Sequence, residues 1–190
     1  MRTVLVCGTF KVAESLKHWL SLLPDVSIYR LPNPVREAEV GHTVAGYAAW
    51  LEPRVAEADL VIGQSLGGTV ALCTPTKARV VAVDPPLSTD GFAKALPAFM
   101  RAAEGPLDYP EIWRFLFDVY GIRREGGLEP RDYHPRIQAG EVIACTVGSL
   151  LCEGDVRRLT GVRYVEGTHD LMAVNPHGVL KALGLGAGAA

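Results

Sequence analysis

The sequence lacks a surplus of charge of either sign, and it lacks any long apolar run. Its 19 Lys and Arg residues are matched by 21 Asp and Glu residues, which leaves a formal net charge of −2. This balance offers no basic surface for nucleic acid or for an anionic membrane. No apolar run approaches the roughly 20 residues that cross a bilayer, and the one after Met1 is too short for a signal peptide. We therefore expect a cytoplasmic protein with no nucleic-acid partner and no membrane span.

Metal and nucleotide motifs are also missing. The four cysteines, Cys7, Cys73, Cys145 and Cys152, form no C-x-x-C pair and have no histidine at zinc spacing. Three of them stand in apolar segments, which favours buried free thiols in a reducing compartment. The glycine-rich stretch 63–68 has neither the G-x-G-x-x-G spacing nor the lysine of a phosphate-binding loop. We expect no metal and no cofactor.

Apolar strands alternate with helical patterns along most of the chain. The composition patterns predict strands over 3–7, 26–31, 60–62, 78–83, 141–147 and 162–165, and helices over 13–23, 44–58 (kinked or divided at Pro53), 67 to near 75, and around 179–180. Strands that are apolar throughout and alternate with helices predict an α/β fold: one domain, 1–190, whose mostly parallel sheet carries helices on both faces. Ligands of such sheets bind at the carboxyl ends of the strands.

The segment 87–140 breaks this alternation and holds most of the aromatic residues. Helical patterns over 92–103 and 111–120 follow a strand at the ligand-binding edge, so the segment is predicted to form a cap over that edge. We expect Phe92, Trp113 and Phe117 of this segment to line a substrate pocket, together with Phe10 of the first loop. The alternative is that these aromatic residues complete the domain core.

Ser65 stands in the pattern G-x-S-x-G, between an apolar strand and a helix that begins with small residues. A sharp strand-to-helix turn brings neighbouring backbone so close that side chains at Gly63 and Gly67 would clash. The same turn would lift the serine hydroxyl above the sheet edge at the positive end of a helix, where a nucleophile belongs. A tight turn that happens to contain serine is the alternative.

The chain resembles the α/β-hydrolase family, in the compact form of a serine esterase or lipase. The resemblance rests on the stretch 4–8 with Trp19 downstream, on the turn 63–68, and on Gly-Thr-His-Asp at 167–170 after the final strand. It covers nearly the whole chain and implies the order nucleophile, acid, histidine. The sequence departs from the family at Cys7 and Gln64, where histidine is frequent.

A serine needs a base that accepts its proton, and His169 is the histidine that directly follows a strand. The acid that orients it is less evident. In the common family layout it follows the strand that ends at Gly148, where Asp155 is a nearby candidate unless it caps the helical turn beyond it. Asp84, at the tip of the strand beside the nucleophile, is the alternative, unless it serves only the turn before Pro85. We prefer Asp155 slightly.

The resemblance also implies an oxyanion hole formed by the backbone N–H groups of Leu66 and Thr9. Together these residues predict a serine hydrolase that cleaves a small, largely apolar carboxylic ester or thioester through an acyl-enzyme. Two alternatives stay open. One is a binding protein that keeps the fold without a working triad, and the other is a non-hydrolytic member that performs acyl transfer, C–C cleavage or lyase chemistry.

Overall fold

The computed structural model describes residues 1–8, 13–32, 43–88 and 140–185. These residues form six strands: β1 (Thr3–Val6), β2 (Val26–Tyr29), β3 (Leu60–Gln64), β4 (Arg79–Val83), β5 (Glu141–Cys145) and β6 (Val162–Val165). They also form a 3₁₀ helix (Ala13–Ser21) and the α-helices α1 (Val44–Val55), α2 (Leu66–Cys73), α3 (Glu153–Arg158), α4 (Leu171–Val174) and α5 (Pro176–Ala182).

All six strands belong to one parallel sheet with the order β2-β1-β3-β4-β5-β6. The chain first adds β2 on one side of β1 and then places β3 on the other side, so the order reverses between β1 and β3. Ligands of open α/β sheets bind at such a reversal, beyond the carboxyl ends of the strands. Ser65 directly follows β3 and therefore lies at this point.

Alternate residues of each strand enter two separate apolar layers. On one face, Val4, Val6 and Val61 pack with α1 and α2. On the other face, Leu5 and Ile62 join a cluster that is completed by the 3₁₀ helix and by α4 and α5. Because both faces are covered, the central strands are buried throughout, as their continuous apolar sequences predicted. The predicted parallel sheet with helices on both faces is confirmed.

The elements predicted within the described residues are present, and most of them have shifted ends. The first helix is a 3₁₀ helix that ends at Ser21, β5 ends at Cys145 rather than at 147, and α1 runs through Pro53 without being divided. In the described residues no helix is long and apolar enough to cross a membrane. The predicted cap, with its helices 92–103 and 111–120, falls almost entirely outside the described residues, which include 87, 88 and 140 at its ends. Most of the predicted tail, 186–190, also falls outside them.

Candidate active site

Ser65 occupies a strained turn between β3 and α2. Its backbone angles are φ 54° and ψ −127°, a conformation that side-chain-bearing residues rarely adopt. Its N–H donates to the Val83 carbonyl of the neighbouring strand (2.9 Å), and its own carbonyl accepts from Gly68 N–H (2.9 Å) and Thr69 N–H (3.1 Å) as α2 begins. These hydrogen bonds maintain the strained backbone conformation of Ser65, and strain that is maintained in this way is typical of functional turns.

The flanking glycines are required by close backbone contacts. A Cβ at Gly63 would lie 2.3 Å from the Gly67 carbonyl oxygen, and a Cβ at Gly67 would lie 2.5 Å from the Cys7 carbonyl oxygen. Contacts this short do not occur for real Cβ atoms. The turn therefore depends on glycine at both positions, which is the physical reason that the sequence pattern predicted.

Ser65 and Asp84 end neighbouring strands side by side. The β3–β4 register pairs Gln64 with Val83, so the next residue of each strand lies at the carboxyl edge of the sheet. Asp84 also has a positive φ of 46°, and its side chain is fully buried. A buried carboxylate needs hydrogen-bond donors, because its charge is otherwise costly away from water.

His169 and two residues of the loop after β5 contact the Asp84 carboxylate. Oδ2 lies 2.6 Å from Nδ1 of His169 and accepts from the Leu150 N–H at 3.1 Å, while Oδ1 accepts from the Ser149 hydroxyl. The Ser149 oxygen itself accepts from Leu151 N–H at 3.1 Å, so its own proton is directed to Asp84. The loop after β5 thus supplies donors to a carboxylate that β4 provides.

His169 lies in the turn after β6, and its side chain is about one-third exposed. Because Nδ1 faces the Asp84 carboxylate, Nδ1 carries a proton in this arrangement and Nε2 is the nitrogen that can accept another. The backbone carbonyl of His169 accepts a hydrogen bond from Nε2 of Gln64 at 2.9 Å. His169 is therefore held to β4 by its ring and to β3 by its backbone.

Asp155 has a different set of partners. Its Oδ2 accepts from the Ser88 hydroxyl (3.0 Å) and from the Cys152 N–H (3.0 Å), and the residue is almost fully buried. It lies in the first turn of α3, where its carboxylate reaches back to the start of the helix. The carboxylate beside His169 is therefore that of Asp84, whereas the carboxylate of Asp155, which the sequence slightly favoured, is engaged at a helix end.

Cys145, the last residue of β5, lies beside the same carboxylate. Burial and the negative charge of Asp84 raise the pKa of the Cys145 thiol to about 12, and the thiol donates to the Val147 carbonyl at 3.2 Å. Burial raises the pKa of Cys73 to about 11. Both thiols are neutral near pH 7, and neither is an activated nucleophile. In the described part of the chain, no group of three or more His, Cys, Asp or Glu residues could hold a metal ion.

Of the predicted oxyanion donors and pocket residues, the structure describes only Leu66. Leu66 is the first residue of α2, so its N–H has no acceptor within the helix and lies next to Ser65. A Cβ on Gly8 would come 3.0 Å from the Ser65 Cβ, so the loop after β1 begins beside the serine. Thr9 follows it, but Thr9 falls outside the described residues, as do the four predicted pocket residues Phe10, Phe92, Trp113 and Phe117.

Sequence reasoning missed two residues of this site. Ser149 lies in the loop after β5, which also leads to Asp155, and its hydroxyl donates to the Asp84 carboxylate. Gln64 was noted as a departure from the family pattern, but its contact with His169 was not foreseen. The available signal for Ser149 was a hydroxyl side chain two positions after the predicted strand 141–147.

No family model matches the chain, and no curated protein matches it. Several solved structures, however, are similar to the chain. An α/β-hydrolase enzyme from the metagenome of lagoon sediments at Mar Chica, Morocco, is 12% identical with a TM-score of 0.61, over 96% of this chain and 89% of that one. The type II thioesterase BorB from the borrelidin biosynthetic cluster is 14% identical with a TM-score of 0.58, over 96% and 90%.

The thioesterase domain of NocB, solved as a covalent complex with a fluorophosphonate nocardicin G analogue, is 18% identical with a TM-score of 0.55, over 96% of this chain and 95% of that one. At these identities the matches show the fold and nothing finer. The chain has the α/β-hydrolase fold, as its sequence predicted.

Proposed function

We propose that the protein is a serine hydrolase that cleaves a small, largely apolar carboxylic ester or thioester. The observation that carries this proposal is the 2.6 Å contact between His169 Nδ1 and Asp84 Oδ2, beside a strained elbow that presents Ser65. A base oriented by a buried carboxylate, next to an elbow serine, is the constellation of acyl transfer through a covalent intermediate.

In the proposed reaction, Ser65 Oγ attacks the substrate carbonyl carbon and gives its proton to Nε2 of His169. Asp84 keeps the imidazole in the correct tautomer and stabilises its cation without taking the proton. The oxyanion that forms accepts hydrogen bonds from the N–H of Leu66 and, by resemblance to the family, of Thr9. The bond to the alcohol or thiol then breaks, and the leaving group takes the proton from Nε2.

The acyl-enzyme is hydrolysed by the same groups. Water gives a proton to Nε2 of His169 as its oxygen attacks the acyl carbonyl, and the acid leaves as Ser65 Oγ takes that proton back. The thioester class is supported by likeness in fold to BorB and to the NocB domain, which are thioesterases by description. The apolar character of the substrate rests on the aromatic residues of the predicted cap, 87–140.

Turnover of two model substrates tests this proposal. p-Nitrophenyl butyrate and the butyryl thioester of N-acetylcysteamine are offered to the native protein, Ser65→Ala and His169→Ala. We expect hydrolysis by the native protein and a loss of at least about 10³-fold in kcat for either variant. A native protein that is inert toward both substrates, or a Ser65→Ala variant with native turnover, would contradict the proposal. An inert protein would favour the non-catalytic alternative.

A further inference from the structure

Gln64 joins the strand of the serine to the turn of the histidine. It is the last residue of β3, directly before Ser65, and it is 3% exposed. Its Nε2 donates to the His169 carbonyl at 2.9 Å and approaches Oδ1 of Asp170 at 3.3 Å. Both partners are acceptors, so the NH₂ end of the amide must face them, and the orientation of the side chain is fixed by chemistry.

Backbone carbonyls on both sides of His169 also accept hydrogen bonds from other parts of the chain. Upstream, the Gly167 carbonyl accepts from Val147 N–H at 3.1 Å. Downstream, the Met172 carbonyl accepts from Nε1 of Trp19 at 2.7 Å and lies 2.9 Å from Nε2 of His18. Between these two positions, Gln64 donates to the backbone carbonyl of His169 itself.

We propose that Gln64 is a positioning residue that sets the height of the His169 imidazole above Ser65. The inference rests on the proposed function of the same site. Asp84 fixes one ring nitrogen of His169, but a single contact leaves the ring free to swing about it. Gln64 supplies the second fixed point, and it does so from the strand that carries Ser65, so the base and the nucleophile share one rigid support.

Two substitutions separate this role from simple packing. Gln64→Met keeps the length and approximate volume of the side chain but removes both donors. Gln64→Glu keeps the shape but turns a carboxylate toward the Asp170 carboxylate and the His169 carbonyl. We expect kcat to fall about tenfold or more in Gln64→Met and further in Gln64→Glu, with KM within about threefold of native, because the binding of substrate does not use this amide.

A double variant that exchanges the amide and the carboxylate at positions 64 and 170 tests whether kcat can be recovered. In Gln64→Glu with Asp170→Asn, the amide and the carboxylate exchange sides, so the hydrogen bond between the two side chains is available again. The repulsion between the two carboxylates is gone, and only the repulsion by the His169 carbonyl is left. We expect this double variant to recover at least about fivefold in kcat over Gln64→Glu alone. The control is Thr74→Val, which removes a buried hydroxyl bonded to the Val70 carbonyl at the far end of α2. It should keep native kcat.

A measurement without substrate separates failure of this inference from failure of the proposed function. Proton NMR of the native protein should show a downfield Nδ1 proton of His169, bonded to Asp84. In Gln64→Met we expect that resonance to shift or broaden, while Thr74→Val keeps it. A Gln64→Met variant with an unchanged resonance and, in an active protein, native kcat would overturn the positioning role. An inactive native protein whose resonance still responds to Gln64→Met would contradict the proposed function but support the positioning of His169.

Discussion

Oδ2 of Asp84 lies 2.6 Å from Nδ1 of His169, although the two residues are 85 positions apart in the chain. The contact links the end of β4 to the turn after β6 and therefore passes the end of β5, which lies between them in the sheet. In the loop after β5, the Ser149 hydroxyl and the Leu150 N–H donate to the Asp84 carboxylate. Asp84 and His169 meet because three loops converge on one edge of the sheet.

Asp84→Asn tests the proposed role of Asp84 as the acid. Asparagine tolerates the positive φ of this position and preserves the shape of the side chain, so the fold should survive. Its amide, however, cannot hold the imidazole in the same tautomer or stabilise its cation. We expect kcat for a p-nitrophenyl ester to fall by about 10³-fold to 10⁴-fold.

Asp155→Asn is the matched control for that variant. Its carboxylate accepts from Ser88 and Cys152 at the start of α3 rather than from His169. We expect native kcat with a free energy of unfolding lower by about 1–2 kcal/mol, measured by urea denaturation. A strong loss of kcat in Asp155→Asn, with native turnover in Asp84→Asn, would reverse the assignment of the acid.

Glycine at the elbow is predicted to be essential for folding. Gly63→Ala would drive a methyl group to within 2.3 Å of the Gly67 carbonyl oxygen, and backbone cannot move aside cheaply. We expect the variant to lose at least about 3 kcal/mol of stability or to fail to fold. Gly161→Ala is the control, since nothing lies within 4 Å of its added Cβ, and its melting temperature should be close to native. Equal melting temperatures for the two variants would show that the elbow is more pliable than its geometry indicates.

The strained backbone of Ser65 predicts a gain in stability when its side chain is removed altogether. At φ 54° and ψ −127°, glycine is free of the clash that any Cβ suffers. We expect Ser65→Gly to be more stable than Ser65→Ala by about 1 kcal/mol in urea denaturation, after the greater chain entropy of glycine is subtracted. If Ser65→Ala is the more stable of the two, the elbow does not store strain.

The buried thiol of Cys145 predicts a loss of stability at alkaline pH. Its pKa is raised from 9.0 to about 12 in the folded protein, so the unfolded chain releases this proton first. Stability is therefore fully present below about pH 9 and is lost as the pH rises toward 12. We expect the free energy of unfolding to fall less steeply between pH 8.5 and 10.5 in Cys145→Ala than in the native protein. Parallel slopes would contradict the burial of this thiol.

The fold was predictable from the sequence because its signals are local. Apart from Gln64 at the end of β3 and Arg79 at the start of β4, these two strands contain no polar side chain, and the glycines around Ser65 mark the turn between a strand and a helix. Even there, the ends of elements depended on tertiary contacts. The β3 strand extends to Gln64 because it pairs with Val83, and a helical pattern over 13–23 became a 3₁₀ helix that ends at Ser21.

The partner of the His169 ring was not predictable in the same way. Nothing near Asp84 in the chain distinguishes a carboxylate that orients a histidine from one that serves a turn before Pro85. The distinction lies in contacts with Ser149, Leu150 and His169, which are 65 to 85 residues away. Asp155 had the opposite difficulty, because its position suited both an acid and a helix start, and the structure places it at a helix start.

The central claim is that Ser65 is a nucleophile activated by His169, and covalent labelling tests it most directly. A fluorophosphonate probe reacts with an activated serine, and peptide mass spectrometry locates the label. We predict that the native protein is modified at Ser65, and that labelling is abolished in Ser65→Ala and reduced at least about 10²-fold in His169→Ala. An unlabelled native protein of intact fold, or a label retained in Ser65→Ala, would contradict the claim.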